Sequence, residues 1–267
     1  ILTLDGTRNL GQNHLMSRKI IIAKAISIFL ALGAPAFADE NSALAAALQS
    51  AAAKDWPQAL TLARDAAPIG GDLILWQWLR DGQGKLDDYE AFLARRPDWP
   101  GLPLLKEKGE IAVARSDDAK RILAYFGADK PRSGIGSVAM VRALIATGRT
   151  DEAKDEALRG WAELKFDPEA EAAMIAVAGN VLPVADDLRL DRILWTKTRK
   201  DEALRMLARV SPDQAALARA RLALQDDAAD APALVKAVPA ALAGDAGLAF
   251  DRFDYRMRAS RYDDAAE

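Results

Sequence analysis

The sequence contains no cysteine, and its only histidine is His14. Without cysteine the chain has no disulfide, no thiolate metal site, no thiol nucleophile and no lipid-modified cysteine of the lipoprotein type. Because no histidine follows His14, residues 39–267 lack Ser-His-Asp and Cys-His catalytic groups, histidine zinc sites and histidine pH switches. The sequence therefore predicts no catalytic residue, no cofactor and no metal site.

Aromatic residues are also scarce, at 6%, whereas alanine makes up about a fifth of the chain. Alanine is the best helix former, and no long segment alternates apolar and polar residues, so the composition predicts an all-α protein. Of the net charge of −3, residues 1–38 contribute +3, which leaves −6 for residues 39–267. This acidic balance argues against nucleic-acid and anionic-lipid partners.

Residues 16–38 have the features of a secretory signal peptide. Met16 is followed by basic residues, an apolar stretch over 25–32 and a small-x-small cleavage pattern that ends at Ala38. The apolar stretch is too short for a permanent membrane span, although an N-terminal anchor or a buried helix is the alternative. We expect cleavage after Ala38 and a periplasmic location, and we interpret residues 1–15 as upstream read-through or a fragment edge.

Helical periodicity divides residues 39–267 into consecutive helices, among them Leu86–Arg95 and Ala119–Phe126. Glycine and proline indicate where helices stop. We expect Pro68 to end a helix, Gly127–Gly136 to be a loop and Asp226–Pro232 to be a linker. N-caps followed by proline are expected at two further positions, Asp167 and Ser211.

A short polar turn, an acidic first helical turn and then an alanine recur irregularly along the chain. The copies are Ala53–Ala59, Thr147–Ala153, Lys197–Ala203 and Ser260–Ala265. Acidic residues suit the positive end of the helix dipole, and the alanine would face a partner helix. The pattern predicts an α-superhelix, or solenoid, of degenerate TPR-like helix–turn–helix repeats over residues 39–267.

Several blocks resemble the N-terminal superhelical (U-type) region of soluble lytic murein transglycosylases. The blocks are Trp78-Leu79-Arg80, Tyr89–Leu93, Arg96–Pro100, Glu110, Arg189–Trp195, Asp201-Glu202-Ala203, Ala220–Leu224, Gly247–Phe253 and Tyr262–Glu267. The turn Arg96–Pro100 is the most specific of them.

The resemblance implies a curved helical scaffold followed by a lysozyme-like domain that cleaves peptidoglycan between MurNAc and GlcNAc, leaving a 1,6-anhydro end. In that family a glutamate in a Glu-Ser-x-Phe-like motif acts as general acid and base. No such motif occurs in this sequence, so we expect the catalytic domain beyond Glu267 and an inactive fragment.

Several acidic residues are candidate general acids, but we expect none of them to be catalytic, and we interpret the adjacent pairs among them as solvated caps: Asp98, Glu110 and the pairs Asp87/Asp88, Asp117/Asp118 and Asp186/Asp187. For the tryptophans, helical spacing favours core packing over sugar stacking, with Trp99 as the best exception: Trp56, Trp76, Trp78, Trp99, Trp161 and Trp195. The basic residues near the C-terminus are interpreted as a salt-linked solvated face: Arg252, Arg256, Arg258 and Arg261.

The function expected from these features is a periplasmic, non-catalytic scaffold that guides peptidoglycan glycan strands toward a catalytic domain. Other cell-wall enzymes are further candidate partners. The alternative is a periplasmic TPR-like adaptor that binds proteins and has no enzymatic activity. An enzyme active within these residues is a third hypothesis, which the lack of histidine and cysteine weakens.

Overall fold

The computed structural model describes residues 39–259, which contain helices and connecting turns and no strand. The all-α prediction is therefore confirmed. The signal peptide over 16–38, the turn copy at Ser260–Ala265 and Arg261 lie outside the described residues. The chain divides into two compact units, Ile1–Gln83 and Gly84–Glu267. Within residues 39–259 no helix is long and apolar enough to cross a membrane.

The first unit contains a helix over residues 39–52 (α1), α2 (Trp56–Leu62) and α3 (Pro68–Arg80). Its small core is mainly alanine with Ile74. The expectation that Pro68 ends a helix is wrong, because Pro68 begins α3. Proline is favourable in the first turn, where its missing N–H needs no partner.

The second unit begins with α4 (Leu86–Arg95), which matches its predicted bounds. Its other α-helices are α5 (Leu102–Ala114), α6 (Ala119–Phe126), α7 (Gly134–Ala146), α8 (Thr150–Glu163), α9 (Pro168–Ala178), α10 (Asp186–Thr196), α11 (Lys200–Met206), α12 (Pro212–Gln225), α13 (Ala231–Lys236) and α14 (Ala246–Arg258). Short 3₁₀ helices cover Leu182–Ala185 and Ala240–Leu242.

Two boundaries in the second unit differ from the sequence-based expectation. Helix α7 begins at Gly134, inside the expected loop Gly127–Gly136, because the side chain of Ser133 accepts a hydrogen bond from the Gly136 N–H. The expected linker Asp226–Pro232 contains the start of α13 at Ala231. The N-caps at Asp167 and Ser211 are confirmed, since their side chains accept hydrogen bonds from the N–H groups of the third helical residues, Ala170 and Gln214.

Helices α7 to α12 supply most of the main core of the second unit. Trp161 on α8 is fully buried and lies 5.6 Å, between ring centroids, from Phe166. Alanines at one-turn spacing, Ala153 and Ala157, bury the same face of α8. Helices also contact their next-but-one neighbours: α5 with α7, α7 with α9, α10 with α12, and α12 with α14.

The repeated turns have a shared local structure. Arg149 and Arg199 are the N-cap residues of α8 and α11, and each donates hydrogen bonds to a glutamate three residues later. The alanine that follows each glutamate, Ala153 or Ala203, is buried. In the first unit, Ala59 occupies the same position after the N-cap Asp55. The predicted burial of these alanines is confirmed.

Candidate functional site

A buried arginine, Arg221 of α12, joins three helices of the second unit. Its side chain is 1% exposed; its Nε donates to Asp251 Oδ2 on α14 over 2.9 Å, and its Nη1 donates to Asp191 Oδ1 on α10 over 2.9 Å. Gln225 Nε2 also donates to Asp251 Oδ2, at 2.9 Å. Burial of an unpaired charge is strongly unfavourable, so these contacts fix the three helices relative to one another.

The three residues that meet here come from separate blocks of the family resemblance. Asp191, Arg221 and Asp251 lie in the blocks Arg189–Trp195, Ala220–Leu224 and Gly247–Phe253. Gly247 lies against this group, because a Cβ there would come within 2.1 Å of Arg221 Cζ and the guanidinium group would have to shift. Residues distant in the sequence therefore form one polar centre, which we call the Arg221 centre.

An exposed aromatic pair lies beside the Arg221 centre. The ring of Trp195 is 5.1 Å from Arg221 Cζ, and its centroid lies 5.5 Å from that of Phe250 on α14. Both side chains are 44% exposed. The expectation that Trp195 packs in the core is therefore wrong, because this residue lies at the surface between α10 and α14.

A second buried arginine, Arg189 of α10, forms a separate polar centre, the Arg189 centre. Arg189 donates to Glu202 and, over 2.6 Å, to the carbonyl oxygen of Trp161. Burial lowers the pKa of Arg189 to about 10. Burial alone would raise the pKa of Glu202, but hydrogen bonds from Arg199 and the charge of Arg189 outweigh it and lower that pKa. The carboxylate of Glu202 is therefore held ionised inside the core.

Glu110, one of the general-acid candidates of the sequence, holds a loop in the structure. It is buried on α5, where it accepts hydrogen bonds from the N–H groups of Arg132 and Ser133, both over 2.8 Å, and from the Ser133 hydroxyl. Burial raises its pKa. Glu110 also lines a cavity of about 370 Å³ bounded by α5, α6 and the following loop. Because both carboxylate oxygens hold the backbone before α7, Glu110 anchors this loop.

The other acidic candidates divide into caps, exposed residues and one buried acceptor. Asp88 and Asp118 accept backbone hydrogen bonds at the starts of α4 and α6, as predicted. Asp186 is not a solvated cap: it is buried and accepts hydrogen bonds from Trp161 Nε1 at 2.8 Å and from Arg209 Nε at 3.1 Å. The remaining acidic candidates are exposed: Asp87, Asp98, Asp117 and Asp187.

The other tryptophans have mainly packing contacts. Trp161 is in the core, as predicted, and Trp99 packs edge-on against Phe92 with 5.7 Å between ring centroids. In the first unit, Trp56 donates a hydrogen bond to Asp81 over 3.0 Å. The two remaining tryptophans of that unit are half-buried on α3: Trp76 and Trp78.

The predicted salt-linked basic face is confirmed at Arg258, which forms ion pairs with Asp227 at 2.9 Å and with Asp254. Arg252 is exposed and Arg256 is half-buried. Among residues 39–259, no group of three or more acidic or histidine side chains is placed to hold a metal ion.

The buried arginines are functional candidates that the sequence patterns did not predict. Periodicity does give a signal for Arg221, because it falls among buried Leu217, Ala218 and Leu224 in an otherwise apolar helical stripe. The partner carboxylates lie 30 residues away on either side, and this is beyond the reach of local patterns.

The geometry defines an all-α protein of packed helices with polar centres at helix junctions. The chain matches no protein-family model, no curated protein and no solved structure in the three comparisons made.

Proposed function

We propose that the chain is a non-catalytic helical scaffold of the lytic-transglycosylase type, which binds peptidoglycan glycan strands in the periplasm. In this proposal the second unit is an α-superhelix of degenerate TPR-like repeats. The contacts between next-but-one helices support this arrangement, because each repeat of a solenoid covers the apolar face of its neighbour.

One observation carries the proposal: three blocks of the family resemblance converge on one buried centre. Asp191, Arg221 and Asp251 are widely spaced in the sequence, yet each contributes a charge to the same set of ion pairs. Such a set of ion pairs constrains the residue type at three sequence positions at once. Its residues coincide with those that suggested the family, which supports a shared scaffold.

The non-catalytic role is supported by the hydrogen bonding of the buried carboxylates. Glu110 anchors a loop, Asp186 holds Trp161 and Asp251 pairs with Arg221. A general acid needs a carboxyl group that can reach a substrate atom. The oxygens of these carboxylates are already engaged in hydrogen bonds within the fold, and this includes both oxygens of Glu110, which lines the cavity next to α5 and α6.

Cosedimentation of the full chain with insoluble peptidoglycan sacculi, together with a zymogram on the same material, tests the proposal. We expect the chain to sediment with sacculi and to produce no lysis. Lysis would contradict the non-catalytic role. Failure to sediment, together with retention by a protein partner, would favour the adaptor alternative instead.

A further inference from the structure

The cavity beside Glu110 has the size and the walls of a small-molecule site. It has a volume of about 370 Å³ and lies between α5, α6 and the loop before α7; we call it the α5/α6 cavity. Its apolar wall consists of Leu102 and Pro103 of α5 and of Tyr125 and Phe126 of α6, whose rings meet edge-on with 5.6 Å between centroids. Ligand pockets in proteins have volumes of about 300–1,000 Å³, so this cavity suits a small ligand.

Glu110, which lines this cavity, is a buried carboxylate without a counter-ion. It is 2% exposed and forms no ion pair with any of residues 39–259. The other buried carboxylates described in the second unit each pair with an arginine: Glu156, Glu171, Asp186, Glu202 and Asp251. Because a buried charge without a partner is unfavourable, the environment of Glu110 favours the entry of a cation into the cavity.

Lys106 does not supply this cation, although it lies one turn before Glu110 on α5 and also lines the cavity. Its Nζ is 2.6 Å from Asp129 Oδ2. Glu110 accepts hydrogen bonds only from uncharged groups, one at Oε1 from the Arg132 N–H and two at Oε2 from Ser133. A carboxylate oxygen can accept two hydrogen bonds, so Oε1 has one acceptor position left. Burial raises the pKa of Glu110, as expected for a carboxyl group with no cation beside it.

The remaining charged side chains of the lining are two exposed cations, Lys130 and Arg132. Lys130 forms no ion pair with any of residues 39–259, and Arg132 is 58% exposed and pairs with Glu107 over 3.4 Å, from Nε to Oε2. Glu110 is buried, so the negative charge lies inside the cavity and the positive charges lie at its rim. A ligand that is only a cation would be repelled by this rim, whereas a ligand with one charge of each sign matches both positions.

We propose that the α5/α6 cavity binds a small zwitterion with an apolar body, of the class of aliphatic α-amino acids and dipeptides. The ammonium group enters the cavity and donates a hydrogen bond to Glu110 Oε1. The carboxylate pairs with Lys130 and Arg132 at the rim. The apolar body packs on the wall, where the rings of Tyr125 and Phe126 also attract the ammonium group. Glu110 accepts a hydrogen bond in this role and transfers no proton, and the inference does not depend on glycan binding.

Calorimetry of the full chain with L-leucine and L-leucyl-L-leucine as probes tests the inference. Two blocked dipeptides are the controls: N-acetyl-leucyl-leucine has no ammonium group, and leucyl-leucine amide has no carboxylate. We expect the zwitterions to bind, N-acetylation to weaken binding about tenfold or more, and amidation to weaken it about fivefold. If neither zwitterion binds at millimolar concentration, or if the blocked forms bind as well as the free dipeptide, the inference is overturned.

Variants at the two ends of the cavity assign the charges. Lys130→Ala removes an exposed side chain without an ion pair among the described residues, so it should fold; we expect it to weaken binding of the dipeptide about threefold and to leave binding of the amide unchanged. Lys154→Ala is the matched control, because Lys154 is an exposed lysine on α8 that does not line the cavity. Equal effects of Lys130→Ala on dipeptide and amide would contradict the placement of the carboxylate.

Glu110→Gln tests the other end, because it removes the charge and keeps the size of the side chain. In this variant the free dipeptide should lose its advantage over the N-acetylated form. A preserved advantage would contradict the role of Glu110. Because Glu110 also holds the loop before α7, a thermal melt accompanies this variant, and the blocked dipeptides and Lys130→Ala decide the inference if the variant does not fold.

Discussion

The two buried arginines of the second unit, Arg189 and Arg221, pair their charges with carboxylates in different ways. Arg189 shares its carboxylates with other arginines: Glu202 also accepts from Arg199 at 2.5 Å, and Glu171 also pairs with Arg205 at 3.0 Å. Around Arg221 the arrangement is reversed, because one arginine serves several aspartates on neighbouring helices. The Arg189 centre is therefore redundant, whereas the Arg221 centre depends on a single side chain.

The largest expected effect is a difference in unfolding free energy between variants of the two centres. Arg221→Met leaves Asp251 buried with only Gln225 and a lysine 3.9 Å away, so we expect a loss of about 3–5 kcal/mol in unfolding free energy. Arg189→Met should cost clearly less, since its carboxylate partners keep their other arginines. Urea unfolding of both variants checks the order, and equal losses would contradict the proposed redundancy.

A second prediction concerns acid sensitivity at the Arg189 centre. Glu202→Gln should cost about 2–3 kcal/mol at pH 7, because charged hydrogen bonds to two arginines are weakened. The pKa of Glu202 is lowered in the folded chain, so its contribution is full above the ordinary glutamate value of about 4.3 and is lost as the pH falls through the lower folded value.

Chemical denaturation at pH 7 and at successively lower pH values measures this dependence. The difference between wild type and Glu202→Gln should shrink as the pH falls below about 4. A difference that stays constant over this range would mean that ionised Glu202 contributes nothing specific.

The close approach of Gly247 to the guanidinium group of Arg221 gives a third prediction. Gly247→Ala should cost about 1–2 kcal/mol, because the added methyl group overlaps the guanidinium group and must displace it. Gly244→Ala is the matched control, since a Cβ there meets no atom within 4 Å. Thermal melts compare the variants. Equal melting temperatures for them would show that the Arg221 side chain can move without loss.

The smallest expected effect on unfolding free energy is at the repeated turns, where a surface arginine is compared with a mostly buried one. Arg149 and Glu152 pair at the surface, so we expect Arg149→Ala to leave unfolding free energy unchanged within error. Arg199→Ala should cause a clear loss, because Arg199 is mostly buried and also donates to the carbonyl oxygen of Leu164 over 2.7 Å. Urea unfolding measures the loss in both variants. Equal losses would contradict this difference between the turns.

Local patterns in the sequence predicted helices well, because periodicity and capping act over a few residues. Helices α4 and α6 have the predicted bounds, and Ser211 caps α12 as expected. The prediction at Pro68 was wrong because proline is common both at the ends of helices and in their first turns, and its own identity does not distinguish the two positions.

The candidate site was much less predictable. The pairing of Arg221 with Asp191 and Asp251 needs three helices to be placed first, and no local rule supplies that placement. Trp195 shows the same limit, because its spacing on α10 is that of a core residue although the side chain lies at the surface beside Phe250. Long-range packing decides both features.

The Arg221 centre also has a consequence for a broken chain. Helix α12 is followed by a largely exposed turn at 226–230, where a protease could cut the chain before α13 and α14, whereas Arg221 and Asp251 are shielded from water. After such a cut the buried ion pair and the surrounding apolar contacts would still join the two pieces. The fragments should therefore stay together as a non-covalent complex, in the manner of fragment complementation, until denaturant separates them.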